Sequence, residues 1–176
     1  MTTYMLGRRS RAELHEVHPQ ICSTVERAIK ITPVDFSVHD GIRTHIEQKE
    51  YVAQGVSKTM NSYHLPQEDG YGHAVDLVPY INGKMRWEWD PIYKIAAAMH
   101  QAAEEEGILL RWGACWDRVF NDLDVTDLKD EVESYIERRK KNGLDAFLDG
   151  PHFELFDRRH HRWNNLFRPP VQPTAA

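Results

Sequence analysis

Cysteine is scarce in this chain. There are two in 176 residues, Cys22 and Cys115, far apart. That excludes a disulfide framework and a cysteine-based zinc site, and leaves two ordinary thiols of a reducing compartment. Long apolar runs are missing as well. No stretch approaches the roughly 18 residues of a membrane helix, so no membrane insertion is expected. Residues 1–11 hold no apolar core and lack a signal-peptide pattern. Nor is there an excess of positive charge: 22 Lys and Arg stand against 27 Asp and Glu, a formal net charge of −5. That excludes a nucleic-acid binder relying on overall charge. No internal repeat is visible. What is present, 41% hydrophobic and 28% charged residues, is the composition of one globular domain with a core that folds without staples.

The periodicities predict an α+β domain. Leu14, Val17, Ile21, Val25 and Ile29 recur at helical spacing, and Pro19 is expected to split that stretch into two helices. Phe36 and Val38 alternate with polar residues in a short strand ending at Asp40-Gly41. Thr44–Gln54 reads as a helix stopped by Gly55, and 57–71 as a loop. Strands are expected at 73–79 and 84–89, joined by the hairpin signal Asn82-Gly83, with Trp87 and Trp89 on one strand face. Asp90-Pro91 is expected to open a helix as N-cap and first residue, burying Ile92, Ile95, Ala96, Met99 and Ala103 and ending at Gly107. A strand at 108–112, a dipole-matched helix at 127–141 and a strand at 152–156 complete the domain. The domain is expected to span 1–167, with a flexible tail at 168–176 carrying Pro169, Pro170 and Pro173.

Three segments carry the chemistry: Ser62-Tyr63-His64, Gly72-His73-Ala74-Val75-Asp76 and Asp149-Gly150-Pro151-His152-Phe153-Glu154. They offer imidazoles and carboxylates, the N and O donors of catalytic zinc, which keeps one position open for water. Residues two apart in a strand share a face. Gly72, Ala74 and Asp76 therefore point one way and His73 and Val75 the other, while His152 and Glu154 share a face. Asp149 precedes a Gly-Pro turn that can fold it back toward His152.

On these motifs the sequence resembles the family of zinc D,D-carboxypeptidases and L-alanyl-D-glutamate endopeptidases, phage endolysins in particular. Gly41-Ile42-Arg43-Thr44, Gln48, Gly55, Ser57-Lys58-Thr59 and Arg111-Trp112-Gly113 match too, so the likeness covers roughly residues 10–156. It implies a single domain with a small antiparallel sheet flanked by helices, of the Hedgehog/D,D-peptidase kind. It implies Zn2+ held by His64, Asp76 and His152, with Asp149 as the general base. Arg43 would hold the scissile carbonyl oxygen or a nearby carboxylate, steadying negative charge as it develops. Ser62 and Glu154 would contact substrate or support the ligands. The implied substrate is the peptidoglycan stem peptide, cut at the L-alanyl–D-glutamate bond; D-alanyl-D-alanine carboxypeptidase and a non-catalytic, metal-bearing wall-binding module are the alternatives. A monomer is expected, made in the cytoplasm and released to the wall through a holin-like partner.

One departure stands out. About two residues usually separate the metal histidine from the glycine in that family, whereas here the seven residues 65–71 intervene. They read as an insertion beside the site, and they keep His73 open as a substitute ligand. Elsewhere, the acidic segment holding Asp117, Asp122, Asp124 and Asp127 lacks the spacing and glycine of an EF-hand, and reads as a solvated loop rather than a calcium site. His160-His161, within a basic run, reads as solvated surface. Trp112 and Trp116 read as core or cleft wall.

Overall fold

The computed structural model describes residues 3–156. The expected tail at 168–176, the expected domain end at 167 and His160-His161 lie outside the described residues. In chain order the elements are α1 (Arg8–Glu13), α2 (Pro19–Ile31), β1 (Phe36–Asp40), α3 (His45–Ala53), β2 (Ala74–Ile81), β3 (Lys84–Met85), α4 (Trp89–Glu106), β4 (Leu110–Trp112), α5 (Leu128–Lys141) and β5 (His152–Leu155). The sheet runs β1-β2-β5-β4, with β3 paired to β2, and its strand pairs are antiparallel. This is the α+β domain expected from the sequence. No helix among the described residues is long and apolar enough to cross a membrane.

Local chemistry explains most boundaries. Pro19 is the first residue of α2, where its missing N–H costs nothing. Thr44 and Glu47 form a reciprocal capping box at the start of α3. Asn82 and Gly83 both take positive φ, 53° and 74°, as a tight hairpin turn requires. Asp127 caps α5 by accepting from the Asp130 N–H.

The sequence reading fails around the tryptophans. The hairpin's second strand stops at Met85, and Trp89 already belongs to α4, which starts after Glu88 rather than after Asp90. Trp87 and Trp89 therefore share no strand face. Trp89 packs on Tyr93 one helical turn on, with ring centroids 5.4 Å apart, and both rest against the core. Helical spacing thus overrides the strand alternation. Pro91 is tolerated because first-turn N–H groups have no intrahelical partner to lose.

Strand parity splits the sheet into two chemically different faces. Phe36, Val38, Val75, Leu77, Leu110, Trp112 and Phe153 join the apolar residues of α2 and α4 in one core. The opposite face holds Asp76 on β2, Arg111 on β4, and His152 and Glu154 on β5. Register then aligns them: Asp76 lies opposite His152, and Glu154 lies between Ala74 and Arg111. The core fixes the strands, and the strands place the polar set.

Gly41, just after β1, is where packing is tightest. A Cβ there would overlap the backbone carbonyl oxygen of Glu13 and press on Val17. Gly41→Ala is expected to cost about 1–3 kcal/mol, as overpacking does, read as a lower denaturant midpoint. An unchanged midpoint would show that the α1–β1 junction yields freely.

Candidate metal centre

Three ligand atoms converge on the polar face of the sheet. His64 Nε2 lies 3.2 Å from Asp76 Oδ1 and 3.2 Å from His152 Nδ1, and His152 Nδ1 lies 3.0 Å from Asp76 Oδ1. They come from the loop before β2, from β2 and from β5. Two of the three residues are buried, and Asp76 is nearly so. A tetrahedral ion with bonds of about 2.0–2.1 Å needs ligand atoms about 3.3 Å apart. The observed triangle is close to that.

The other ends of the rings decide which atoms face inward. His64 Nδ1 donates to the Gly41 carbonyl oxygen at 2.6 Å. His152 Nε2 contacts Glu154 Oε2 at 2.9 Å, and Glu154 is itself paired with Arg111. With those nitrogens protonated, the inward His64 Nε2 and His152 Nδ1 are lone pairs in the neutral rings. Two imidazole lone pairs and a carboxylate oxygen then face one another, an arrangement that a cation must hold together. Without a metal, a proton on His152 is able to serve as that cation. Burial works against a charged His152, but the hydrogen bonds it donates to Asp76 and Glu154 outweigh it and push the ring up to about 10. Burial would likewise raise Asp76, but the charge of His64 and the hydrogen bonds to His152 and His64 hold it well below the usual carboxylate range.

Asp149 sits three residues before His152, and its carbonyl oxygen accepts the His152 N–H at 3.1 Å. Burial pushes its carboxyl upward and the charge of Asp76 adds to this, against the pull of His152, His64 and Arg43. A carboxylate with a raised pKa beside a metal centre is suited to taking and returning a proton. The turn that carries it is held from β4. Gly113 exchanges backbone bonds with both Asp149 and His152, and Trp112 Nε1 donates to the Gly150 carbonyl oxygen at 2.7 Å. This accounts physically for the Arg111-Trp112-Gly113 match.

Arg43 turns inward onto the centre. Its Nε donates to Asp40 at 2.7 Å, one terminal nitrogen to Asp76 Oδ2 at 2.9 Å and the other to Gln48 at 3.2 Å. Gln48, fully buried, is held in turn by Ser57 and by the Thr59 carbonyl oxygen. Ser62 Oγ accepts the His64 N–H at 3.2 Å. Glu154 is 3% exposed and lies behind His152, so its carboxylate reaches the ligand ring and Arg111.

Sequence reasoning missed Asp40, which lies opposite Asp76 in the β1–β2 register, and missed the pairing of Arg111 with Glu154. No short motif joins residues 43 positions apart. Trp116 lies beside His152, with ring centroids 5.2 Å apart, and its buried Nε1 meets no hydrogen-bond partner among the described residues. Trp112 is core. His73 does not join the centre: its Nε2 contacts Asp69 at 2.8 Å on the other side of the strand, which removes it as a substitute for His64. Three of the four acids of the 117–127 segment have separate local partners. Asp117 pairs with Arg138, Asp124 caps the turn at Thr126, and Asp127 caps α5.

Two outcomes follow from these contacts. Arg111→Met removes the guanidinium paired with the buried Glu154 and is expected to cost about 3–5 kcal/mol of stability and to weaken metal binding about 10–100-fold; calorimetric unfolding and metal titration check both, and an unchanged metal affinity would remove Arg111 from the ligand support. For the chelator-treated protein, the raised His152 pKa gives a stabilisation fully present below about pH 6.5 and lost as pH rises toward about 10. Its thermal midpoint should fall over that window, and His152→Ala should lack this component. An identical pH profile in both proteins would count against the proton-bridged centre.

Comparison with known proteins agrees with this geometry. Residues 2–156 match the family model described as phage L-alanyl-D-glutamate peptidase. The L-alanyl-D-glutamate peptidase of Escherichia phage T5 is 34% identical over 157 residues, covering 87% of this chain and 98% of that protein. The crystal structure of the Serratia marcescens L-Ala D-Glu endopeptidase ChiX aligns with a TM-score of 0.63 at 32% identity, covering 89% of this chain and 93% of that one. With nearly its whole described length matched, the chain belongs to the phage L-alanyl-D-glutamate peptidase family.

Proposed function

We propose that this protein is a zinc-dependent endopeptidase that hydrolyses the L-alanyl–D-glutamate bond of peptidoglycan stem peptides. The observation that carries the metal is the convergence of His64 Nε2, Asp76 Oδ1 and His152 Nδ1 at 3.0–3.2 Å. The names of the phage T5 relative, an L-alanyl-D-glutamate peptidase, and of the Serratia relative, an L-Ala D-Glu endopeptidase, favour that bond over the D-alanyl-D-alanine bond.

His64, Asp76 and His152 would hold the ion. Zinc bound there supplies a Lewis acid for the scissile carbonyl and lowers the pKa of the attacking water. Asp149 accepts that water's proton and returns it to the departing amine of the glutamate. Its raised pKa suits both halves of the task. Arg43 keeps Asp76 oriented and brings positive charge to the side of the site where the oxyanion develops. Glu154 and the Gly41 carbonyl oxygen hold the two rings with their lone pairs inward. In this reading the enzyme works as a monomer and reaches the wall through a separate membrane-permeabilising partner.

Digestion of purified cell walls tests the proposal. The wild type should release new amino groups on glutamate and no free D-alanine. A chelator should stop the reaction and zinc should restore it. Asp149→Asn should keep its zinc but lose about 10²–10⁴-fold in kcat. Release of D-alanine instead would make the enzyme a carboxypeptidase, and full activity in Asp149→Asn would remove the assigned base.

A further inference from the structure

A second cluster of metal-ligating side chains lies outside the centre described above. His18, Asp69 and His73 place one ligand atom each within 4.8 Å of the others. His73 Nε2 is 2.8 Å from Asp69 Oδ2, while His18 Nε2 is 3.7 Å from the same oxygen, beyond hydrogen-bond reach. The two rings meet edge to face, with centroids 4.9 Å apart. One carboxylate oxygen is thus shared by two imidazoles, of which it satisfies one. The side chains are 21–41% exposed, so an ion has access from solvent.

The backbone around the cluster is tied together without any ion. The His18 N–H donates to the Gly72 carbonyl oxygen and the Gly72 N–H to that of Glu16, both at 2.9 Å. Asp69 Oδ1 accepts the Tyr71 N–H at 3.1 Å, which leaves Oδ2 aimed at the rings. His73 immediately precedes β2, and its N–H donates to the Tyr63 carbonyl oxygen at 2.7 Å. Asp69 comes from the 65–71 segment that spaces His64 from the glycine motif.

We propose that His18, Asp69 and His73 form a second divalent-metal site that takes a borderline transition ion such as Zn2+. Two nitrogens and one oxygen suit zinc, cobalt, nickel or copper; calcium and magnesium prefer all-oxygen sets. An ion there joins three segments: the start of α2, the 65–71 turn and the start of β2. It stiffens the loop that leads out of His64 without touching the substrate side of the sheet. Binding requires His18 to change tautomer, because its Nδ1 now accepts the exposed Gln20 N–H at 3.2 Å. Water can take over that donor.

The test counts zinc per folded chain after equilibration against buffered free Zn2+, with wall lysis followed in parallel. The wild type should hold about two ions, one for each site. His73→Gln and His18→Asn should each hold about one and still lyse walls. Asn at position 18 keeps an oxygen to cap α2, so this variant decides the matter if His73→Gln does not fold. His152→Ala should hold about one ion and lose lysis, an arm that reports on the His64 centre alone. The proposal is overturned if the wild type takes up about one ion and His152→Ala none, or if the second ion survives in both His73→Gln and His18→Asn.

Discussion

Two imidazole lone pairs and a carboxylate oxygen are pressed together on one face of a small sheet, and the molecule is arranged around keeping them there. Left to themselves these three atoms repel. A cation between them turns the repulsion into attraction. The surrounding contacts fix which atoms face inward. The Gly41 carbonyl oxygen takes one end of His64, Glu154 takes one end of His152, and Arg43 takes the outer oxygen of Asp76. Two of these supports are themselves held, Glu154 by Arg111 and Arg43 by Asp40 and Gln48.

The layer architecture makes this possible at small cost. One face of the sheet is buried against α2 and α4, and that apolar contact sets strand position and register. The other face is then free to carry charge. Asp76 and His152 face each other because β2 and β5 pair there, and Arg111 meets Glu154 because β4 pairs with β5. The ligand from outside the sheet, His64, is delivered by a turn whose backbone is tied to both Ser62 and Arg43.

Much of this was legible in the sequence wherever the controlling physics is local. The parity of β2 separated Asp76 from His73, and the structure puts them on opposite sides. Caps, the Asn82-Gly83 turn and the glycine stops gave most element ends. Where two local rules competed, the wrong one was chosen: alternation placed Trp87 and Trp89 on a strand, although the spacing from Trp89 to Tyr93 suits a helix equally well. The pairings Arg111–Glu154 and Asp40–Arg43–Asp76 were not legible. They depend on register between strands distant in the chain, which no spacing encodes. The role of Arg43 was read from resemblance as holding the scissile carbonyl oxygen or a nearby carboxylate. The structure adds that three of its nitrogens already hold Asp40, Asp76 and Gln48.

The tight turn from Asp149 to His152 has a consequence of its own. Asp149 and His152, the proposed proton acceptor and metal ligand, are separated by two residues, closed by one backbone bond and clamped to Gly113 on both sides. Their spacing is therefore a fixed gauge. It cannot be adjusted from either end alone.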